Sequence, residues 1–310
     1  MLSCDWGTSS FRLRLVDNQT GTVLQAITSR QGVKTISSAA SGKPFRNYLA
    51  TQIAKIEGRS AQPLAFVPVV ISGMASSSIG WKELPYGSLP FLLDGSQLPI
   101  KQIPKAEEFP HDILLVSGIC SSSDVMRGEE TQMIGLAATH NLENAVCILP
   151  GTHSKHIFIN QRTIRRFRTY MTGELFGLLS TQSILNESVS PPKENFYKES
   201  FSMGVKRALK SDVWGHLFSI RAKDLLGRST PEENYDFLSG LLIGSELKGL
   251  LPYNRGRPLY FGGEDYLRGR YVTALEMMGI TVQPPDDGPP LTAQGHRVLL
   301  NRFNPNDGNT

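Results

Sequence analysis

The sequence predicts an α/β protein of two domains, and three observations lead to this fold class. The chain has 310 residues, more than one compact hydrophobic core usually needs. A strand, a polar bend and a second strand open the chain, and the same order returns near its middle. Beyond that second copy, apolar residues recur at helical spacing. We place the domain boundary after residue 117, which gives domains over residues 1–117 and 118–310.

Short strands dominate the first half. Alternating or continuous apolar runs predict strands at Leu2 to Cys4, Phe11 to Leu15, Thr22 to Ile27, Val67 to Ile71 and Ile113 to Val116. Between the last two lies a region rich in Pro, Gly and Ser. A connection of this length is usually functional or irregular surface.

The second half begins with strands and continues with helices. Strands are predicted at Val146 to Leu149, at Lys155 to Ile159 and at Pro258 to Phe261. A capping box with Pro at the first helical position, Thr230-Pro231-Glu232-Glu233, predicts the start of a helix that ends near Gly249. A further helix carries Leu267 to Met278 and is stopped by Gly279. We expect Asn301 to Thr310 to be a frayed tail.

Composition excludes several classes of protein. Hydrophobic residues make up 40% and charged residues 19%, which indicates a globular chain rather than a disordered or fibrous one. A net charge of +4 suits a small anionic substrate. It is far smaller than the concentrated positive charge that a nucleic-acid-binding surface needs. The chain has an odd number of cysteines with no close pair among them, which indicates a reducing compartment. They are Cys4, Cys120 and Cys147. Without a leader or a membrane-spanning run, we expect a cytoplasmic protein with no membrane partner.

The two repeated bends carry the first chemical signal. Each contains a Gly-Thr pair, Gly7-Thr8 in the first and Gly151-Thr152 in the second. Bends of Gly and small hydroxyl residues let backbone N–H groups approach a polyphosphate. One such pair alone usually only makes a turn, whereas its duplication in both halves favours phosphate binding.

The first bend also carries charged neighbours. Asp5 supplies a carboxylate at the end of the first strand, suited to hold Mg²⁺ or its waters. Arg12 can reach phosphates from the next strand. The histidines and cysteines share no metal-ligand spacing, so the sequence does not support a zinc site.

Several blocks resemble known families. Asp5-Trp6-Gly7-Thr8-Ser9 with Arg12 resembles the first phosphate motif of the actin, hexokinase and Hsp70 superfamily of ATP-binding proteins. Further blocks, in order along the chain, resemble the 2-dehydro-3-deoxygalactonokinase family. These blocks are Ser72-Gly73-Met74, Gly80-Trp81, Pro85-Tyr86, Met126-Arg127-Gly128-Glu129-Glu130-Thr131-Gln132, Pro150-Gly151-Thr152-His153-Ser154-Lys155, Met171-Thr172-Gly173-Glu174-Leu175 and Phe237-Leu238-Ser239-Gly240-Leu241-Leu242-Ile243-Gly244.

The resemblance implies two actin-like, ribonuclease H-like domains with ATP in a cleft between them. The first would hold one phosphate loop and the sugar-acid pocket, and the second the other phosphate loop and the adenosine site. The implied reaction is ATP- and Mg²⁺-dependent phosphorylation of 2-dehydro-3-deoxy-D-galactonate to its 6-phosphate, in galactonate catabolism. The alternatives are a kinase for 2-dehydro-3-deoxygluconate or another sugar acid, and a non-catalytic actin-like ATP sensor. Oligomeric state stays open, with a homodimer as one option.

The resemblance also suggests the catalytic base. Related sugar kinases carry an acidic residue after a glycine, which corresponds here to Glu129 after Gly128. The helical spacing that follows leaves Glu130 as an alternative. Without the resemblance, two acidic residues at this place would most often only stabilise a helix N-terminus.

Candidate substrate residues fall in the same blocks. Aromatic rings cover the apolar faces of sugars, and hydroxyl and backbone groups order their oxygens. A guanidinium recognises the carboxylate of a sugar acid through paired donors, and the sequence leaves two arginines open for this role. The candidates are Ser72, Gly73, Met74, Trp81, Tyr86, Arg127, Arg168 and Thr172. For Trp81 or Tyr86 alone, core packing is an equal alternative.

The remaining nucleotide candidates are Gly244, Gly262 and Gly263, in addition to Ser9 in the first bend. Gly240 and Gly244 lie four residues apart on one helix and favour close helix packing slightly over room for adenine. The chain departs from the family pattern at His156, which stands where a Trp is usual, and in the acidic segment that follows Gly263. These departures leave the adenosine contacts the least defined part of the predicted site.

Overall fold

The computed structural model describes residues 1–36, 42–60, 62–193, 196–254, 256–262, 265–284 and 288–303. Contacts between residues divide the chain into two compact units. Unit 1 comprises Met1–Glu143, Ile159–Arg166 and Asp286–Thr310, and unit 2 comprises Asn144–Phe158 and Phe167–Pro285. The domain boundary placed after residue 117 stays a prediction.

Strands occur along most of the chain. In order they are Leu2–Trp6 (β1), Phe11–Val16 (β2), Val23–Ser29 (β3), Val69–Gly73 (β4), Gly87–Ser88 (β5), Phe91–Leu92 (β6), Ile100–Ile103 (β7), Ile113–Val116 (β8), Ile119–Cys120 (β9), Val125–Met126 (β10), Asn144–Leu149 (β11), Ser154–Asn160 (β12), Thr163–Tyr170 (β13) and Leu259–Phe261 (β14).

Helices are concentrated in unit 2. In chain order they are Lys43–Glu57 (α1), Glu129–Thr139 (α2), Thr172–Gln182 (α3), Lys198–Lys210 (α4), Trp214–Leu225 (α5), Pro231–Lys248 (α6), Leu251–Asn254 (α7), Asp265–Met277 (α8) and Leu291–Phe303 (α9). Short 3-10 turns lie at Val33–Thr35, Met74–Ser76 and Ile184–Ser188. Within the described ranges, none of these helices combines the length and the apolar character that crossing a bilayer requires.

Unit 1 is built on a mixed sheet with strand order β3-β2-β1-β4-β8-β7. β1 pairs with β2 antiparallel, whereas β1, β4 and β8 run parallel. Aromatic rings of Trp6, Phe11, Phe45 and Tyr48 pack edge-on or tilted in the core on one side of this sheet. This aromatic packing holds the carboxyl ends of β1 and β4 in place. In α/β sheets the carboxyl ends of the strands usually carry functional residues.

Unit 2 combines helices with β14, β11, most of β12 and the second half of β13, which are neighbours in that order in one sheet. α4 packs closely against α6, where glycines let the backbones approach. A Cβ on Gly240 would lie 2.0 Å from the carbonyl oxygen of Phe201, and one on Gly244 would lie 2.9 Å from Cα of Val205. Close helix packing, one of the two interpretations of this glycine pair, thus accounts for both positions.

Most predicted elements occur in the structure. The capping box is present, with Thr230 Oγ1 accepting from Glu233 N and Glu233 Oε2 accepting from Thr230 N. The frayed-tail prediction is wrong for residues 301–303, which belong to α9, because the buried face of α9 anchors them; the rest of that tail lies outside the described residues. The helices α1 and α9 and the strand β13 were not predicted, and neither were the short strands β5, β6, β7, β9 and β10.

Candidate active site

The first bend joins β1 to β2 as predicted. Gly7 N donates to Ser10 O at 2.8 Å and closes the bend. The carbonyl oxygens of Gly7 and Thr8 accept from Val33 N and Lys34 N. Thr8 and Ser9 are exposed. The bend is therefore fixed through its carbonyl groups, while its hydroxyl side chains face outward.

Asp5 and Arg12 lie side by side across β1 and β2. They are direct partners in the strand register, and Arg12 Nη1 lies 3.2 Å from Asp5 Oδ2. Burial raises the pKa of Asp5, the Arg12 and Arg14 guanidinium groups lower it, and the charge of Glu129 raises it again; the net shift is upward. The Asp5 carboxylate thus interacts electrostatically both with the Arg12 guanidinium beside it and with the carboxylate of Glu129.

The ends of β1 and β4 meet the start of α2. Asp5 is the register partner of Ser72, and Trp6 is that of Gly73. Gly73 has φ +90°, a region that favours glycine. A Cβ on Gly128 would lie 3.5 Å from the Cα of Gly73. Two sequence blocks far apart in the chain are therefore brought together at this edge of the sheet.

Two carboxylates begin α2, directly after Gly128 with φ +112°. Glu129 is partly exposed, and its Oε2 accepts from Arg127 N at 3.0 Å. Glu130 is fully buried; both of its oxygens accept from Gly128 N, and Oε1 also accepts from Thr131 Oγ1. Burial first, and then the charge of Glu129, raises the pKa of Glu130 from 4.5 to about 8. Of the two candidates, only Glu129 is open to a ligand.

Glu130 should make the stability of the protein depend on pH. Because its pKa is raised in the folded protein, the folded state holds a proton that the unfolded state releases between pH 4.5 and about 8. The stabilisation that this proton provides is complete below pH 4.5 and is lost as the pH rises to about 8. Glu130→Gln should therefore gain stability relative to the unmodified protein as the pH rises through this window.

Urea unfolding at several pH values measures this difference. Glu143→Gln, an exposed carboxylate at the end of unit 1's first segment, is the matched control and should follow the unmodified protein. If the free energy of unfolding changed with pH equally in Glu130→Gln and in the unmodified protein, the raised pKa of Glu130 would be contradicted.

Arg127 is fixed beside the start of α2. Its Nη1 donates to the carbonyl and hydroxyl oxygens of Ser76, and its guanidinium carbon lies 4.1 Å from the ring centroid of Tyr86. Ser72 Oγ is buried and has no hydrogen-bond partner. Cation, aromatic ring and unsatisfied hydroxyl group are features that a polar ligand can use.

Two other substrate candidates pack against the core of unit 1. Trp81 stacks on Phe45 with ring centroids 6.1 Å apart and planes 13° apart. Met74 is partly buried against the same core. The core-packing interpretation of Trp81 therefore has direct structural support.

The second bend lies in unit 2 between β11 and β12. A Cβ on Gly151 would meet nothing within 4 Å, whereas a Cβ on Gly173 would lie 2.5 Å from the Gly151 carbonyl oxygen. Glu174 N donates to Thr152 O at 3.0 Å. The first turn of α3 therefore holds this bend, and the Gly151 side of the bend is open.

A buried carboxylate that the sequence analysis did not identify lies behind the second bend. Glu246 Oε1 accepts from Ser154 Oγ at 2.7 Å and lies 2.8 Å from His156 Nε2. Its Oε2 accepts from Tyr271 Oη at 2.8 Å. Burial opposes ionisation of Glu246, but His156 and the hydroxyl groups of Thr172 and Ser154 bring its pKa below the ordinary range. The departure at His156 is thus part of a buried hydrogen-bonded cluster.

A cavity of about 370 Å³ lies in unit 2 beside this cluster. Residues of α3, α6 and α8 and two prolines line it. They are Thr172, Gly173, Phe176, Pro191, Pro192, Tyr235, Ser239, Leu242, Ile243, Leu267, Arg270 and Tyr271. Its mixture of apolar, aromatic and few polar groups is typical of a small-molecule pocket.

The remaining candidates lie elsewhere in unit 2. Arg168 is exposed on β13, with its guanidinium carbon 5.2 Å from the ring centroid of Tyr170. Gly244 faces α4 as described above. Gly262 is buried after β14, where its N donates to Ile148 O at 3.0 Å. Gly263 lies outside the described residues.

Comparisons with known proteins agree on one family. A model of the 2-keto-3-deoxy-galactonokinase family matches residues 5–297. The 2-dehydro-3-deoxygalactonokinase of Escherichia coli strain K12 is 32% identical over 289 residues, which cover 91% of each chain. A crystal structure from Sinorhizobium meliloti, described as that of a 2-dehydro-3-deoxygalactonokinase protein, has a TM-score of 0.82 at 31% identity and covers 97% of this chain and 98% of that one.

A more distant structure shares the fold. The activator of the 2-hydroxyisocaproyl-CoA dehydratase from Clostridium difficile, solved with bound ADPNP, has a TM-score of 0.55 at 10% identity and covers 100% of this chain and 98% of that one. At this identity the likeness shows the fold alone. The predicted α/β fold class of the actin-like ATPase type is confirmed.

Proposed function

Because this chain belongs to the 2-keto-3-deoxy-galactonokinase family, we propose that it transfers the γ-phosphoryl group of ATP to the 6-hydroxyl group of 2-dehydro-3-deoxy-D-galactonate. The observation that carries this function is the family match, which extends over residues 5–297. The arrangement of Asp5, Ser72 and Glu129 in unit 1 supports it with suitable chemistry. The protein is thus a sugar-acid kinase, a phosphotransferase with an alcohol group as acceptor.

Glu129 serves as the general base. The sugar hydroxyl oxygen attacks the γ-phosphorus, the bond from that phosphorus to the bridging oxygen of ADP breaks, and the hydroxyl proton passes to Glu129. The partial exposure of Glu129 supports this role over Glu130, which is buried and bonded to its own helix start. Glu130 then fixes the Gly128 turn that presents Glu129.

Asp5 is the residue suited to hold Mg²⁺. Its carboxylate supplies the oxygen donors that this ion prefers, and the Glu129 carboxylate lies close enough to raise the pKa of Asp5. A cation beside these two negative groups would relieve their repulsion, so the residues present fit the ion. When bound, Mg²⁺ would neutralise charge on the phosphates.

The sugar acid is held in unit 1 by Ser72, Gly73, Tyr86 and Arg127. The unsatisfied Ser72 hydroxyl and the Arg127 guanidinium beside Tyr86 support this assignment. Arg127 is our candidate for the substrate carboxylate, since it belongs to the same unit as Ser72 and Tyr86, whereas Arg168 belongs to unit 2.

The nucleotide is bound by elements of both halves of the sequence. Gly7, Thr8, Ser9 and Arg12 contact phosphate from unit 1, as the first bend suggests. In unit 2, Gly151 and Thr152 contact phosphate, and the cavity beside Thr172 and Gly173 holds adenosine. The place of Thr172 in the lining of that cavity supports a nucleotide contact rather than the predicted sugar-acid contact.

A coupled ADP-release assay with a panel of sugar acids tests the function. We expect release to depend on 2-dehydro-3-deoxy-D-galactonate. Faster release of ADP with 2-dehydro-3-deoxygluconate or another sugar acid would identify that compound as the substrate instead. ATP binding without release in the presence of any sugar acid would favour the sensor alternative.

A cytoplasmic homodimer stays part of the proposal. Trp214, Phe218 and Leu225 are 74%, 62% and 67% exposed, and their spacing places them on one face of α5. An apolar stripe of this kind is typical of a protein interface. Light scattering should give twice the mass of one chain, and replacing Trp214 and Phe218 with Ser should halve it. A monomeric unmodified protein would contradict the dimer.

A further inference from the structure

The second bend contains a histidine that has no assigned role. His153 follows Thr152 directly, and its Nε2 lies 2.6 Å from Oε2 of Glu174. The two side chains are 51% and 39% exposed. The pair is therefore preformed and also accessible to a ligand.

The pair lies where the second bend meets α3. Glu174 N donates to Thr152 O, and the absence of a side chain at Gly173 lets the Gly151 carbonyl group approach. Gly173 and its neighbour Thr172 also line the cavity proposed for adenosine. A nucleotide in that cavity would thus have its phosphates near the open side of the bend and near His153.

The hydrogen-bond chemistry of the ring indicates a cationic donor. The contact with Glu174 uses Nε2, so Nδ1 is the ring nitrogen left for a ligand. A carboxylate oxygen can only accept, so the 2.6 Å contact with Glu174 assigns a proton to Nε2. An imidazole that donates from both nitrogens is positively charged. Lys155 carries a second cationic group, two residues after His153. It is 4% exposed, and its Nζ donates to the carbonyl oxygen of His153.

We propose that His153 is a further nucleotide-binding residue, whose imidazolium is oriented by Glu174 and donates a hydrogen bond from Nδ1 to an oxygen of the β- or γ-phosphate of ATP. The inference rests on the proposed kinase function. His153 forms and breaks no covalent bond in this role. Its charge offsets the negative charge of the polyphosphate where the reaction concentrates it.

Calorimetric binding of AMP, ADP and a non-hydrolysable ATP analogue to the full chain tests this role. His153→Ala should raise the Kd of the analogue about tenfold or more and change the Kd of AMP by less than about twofold. The reason is that only a charge-assisted contact to the outer phosphates is lost. His153→Lys keeps a cation and should recover most of the affinity. His216→Ala, which removes another hydrogen-bonded histidine of unit 2, should match the unmodified protein.

Glu174→Gln separates orientation from direct contact. It keeps a hydrogen bond to the ring but removes the charge, so the analogue should weaken less than in His153→Ala. The double variant should bind no worse than His153→Ala alone, since Glu174 acts through the histidine.

Equal weakening of AMP and the analogue in His153→Ala, or no weakening of either, would overturn the proposal. Failure of His153→Lys to recover affinity would overturn the cationic role. These binding results do not depend on the acceptor. A protein that binds ATP through His153 but releases no ADP with any sugar acid would contradict only the proposed kinase function.

Discussion

Glu129→Gln should lower kcat for phosphorylation of the sugar acid by about a hundredfold or more, the usual contribution of a general base. The amide keeps the size of the side chain and can still accept from Arg127 N, as Glu129 Oε2 does at 3.0 Å. It cannot take the proton of the attacking hydroxyl group. Binding of ATP and of the sugar acid should change little, because the lost interaction is made in the transition state.

Steady-state kinetics and equilibrium binding on the same preparation check this expectation. Glu130→Gln is the matched variant, since it makes the same change one residue along α2 at a buried position. It should keep far more activity than Glu129→Gln. Near-normal turnover of Glu129→Gln together with inactive Glu130→Gln would move the base to Glu130.

Asp5→Asn should produce the second large loss. Replacing the carboxylate with an amide removes a negative oxygen that Mg²⁺ prefers. It also removes the ion pair in which Arg12 Nη1 lies 3.2 Å from Asp5 Oδ2. Catalysis at saturating ATP should fall about tenfold or more, since the charge of the metal acts on the transferring group. ATP binding measured with EDTA should change much less.

The dependence of turnover on Mg²⁺ concentration, compared with metal-free ATP binding, measures the two effects separately. Asp17→Asn makes the same chemical change at a turn of unit 1, where the side chain accepts from Thr20 N at 2.8 Å, and should leave both unchanged. Equal loss of catalysis and of metal-free binding would make Asp5 a structural residue at the end of β1.

Local signals explain which elements the sequence could predict. The strands of unit 1 show an alternating or continuous apolar pattern, and α6 begins with a complete capping box. By contrast, α9 has Thr292, Gln294 and His296 on its buried face. These polar residues conceal the apolar period that would reveal a helix.

The candidate site was only partly predictable for a similar reason. Blocks of sequence indicated Asp5, Gly73 and Glu129 separately. The parallel pairing of β1 with β4 brings Asp5 and Gly73 together, and the approach of Gly128 to Gly73 adds Glu129. Glu246 could not be identified, because its partners Ser154 and His156 precede it by 92 and 90 residues. Only the packed structure shows that a glutamate in an apolar helix has imidazole and hydroxyl neighbours.

³¹P NMR of the reaction mixture tests phosphoryl transfer to the sugar acid most directly. With ATP, Mg²⁺ and 2-dehydro-3-deoxy-D-galactonate, we expect the γ-phosphate resonance to disappear while the resonances of ADP and of one phosphomonoester, coupled to the protons at C6, grow. Omission of the sugar acid should stop both changes. Inorganic phosphate as the product, or a phosphate on another carbon, would contradict transfer to the 6-hydroxyl group.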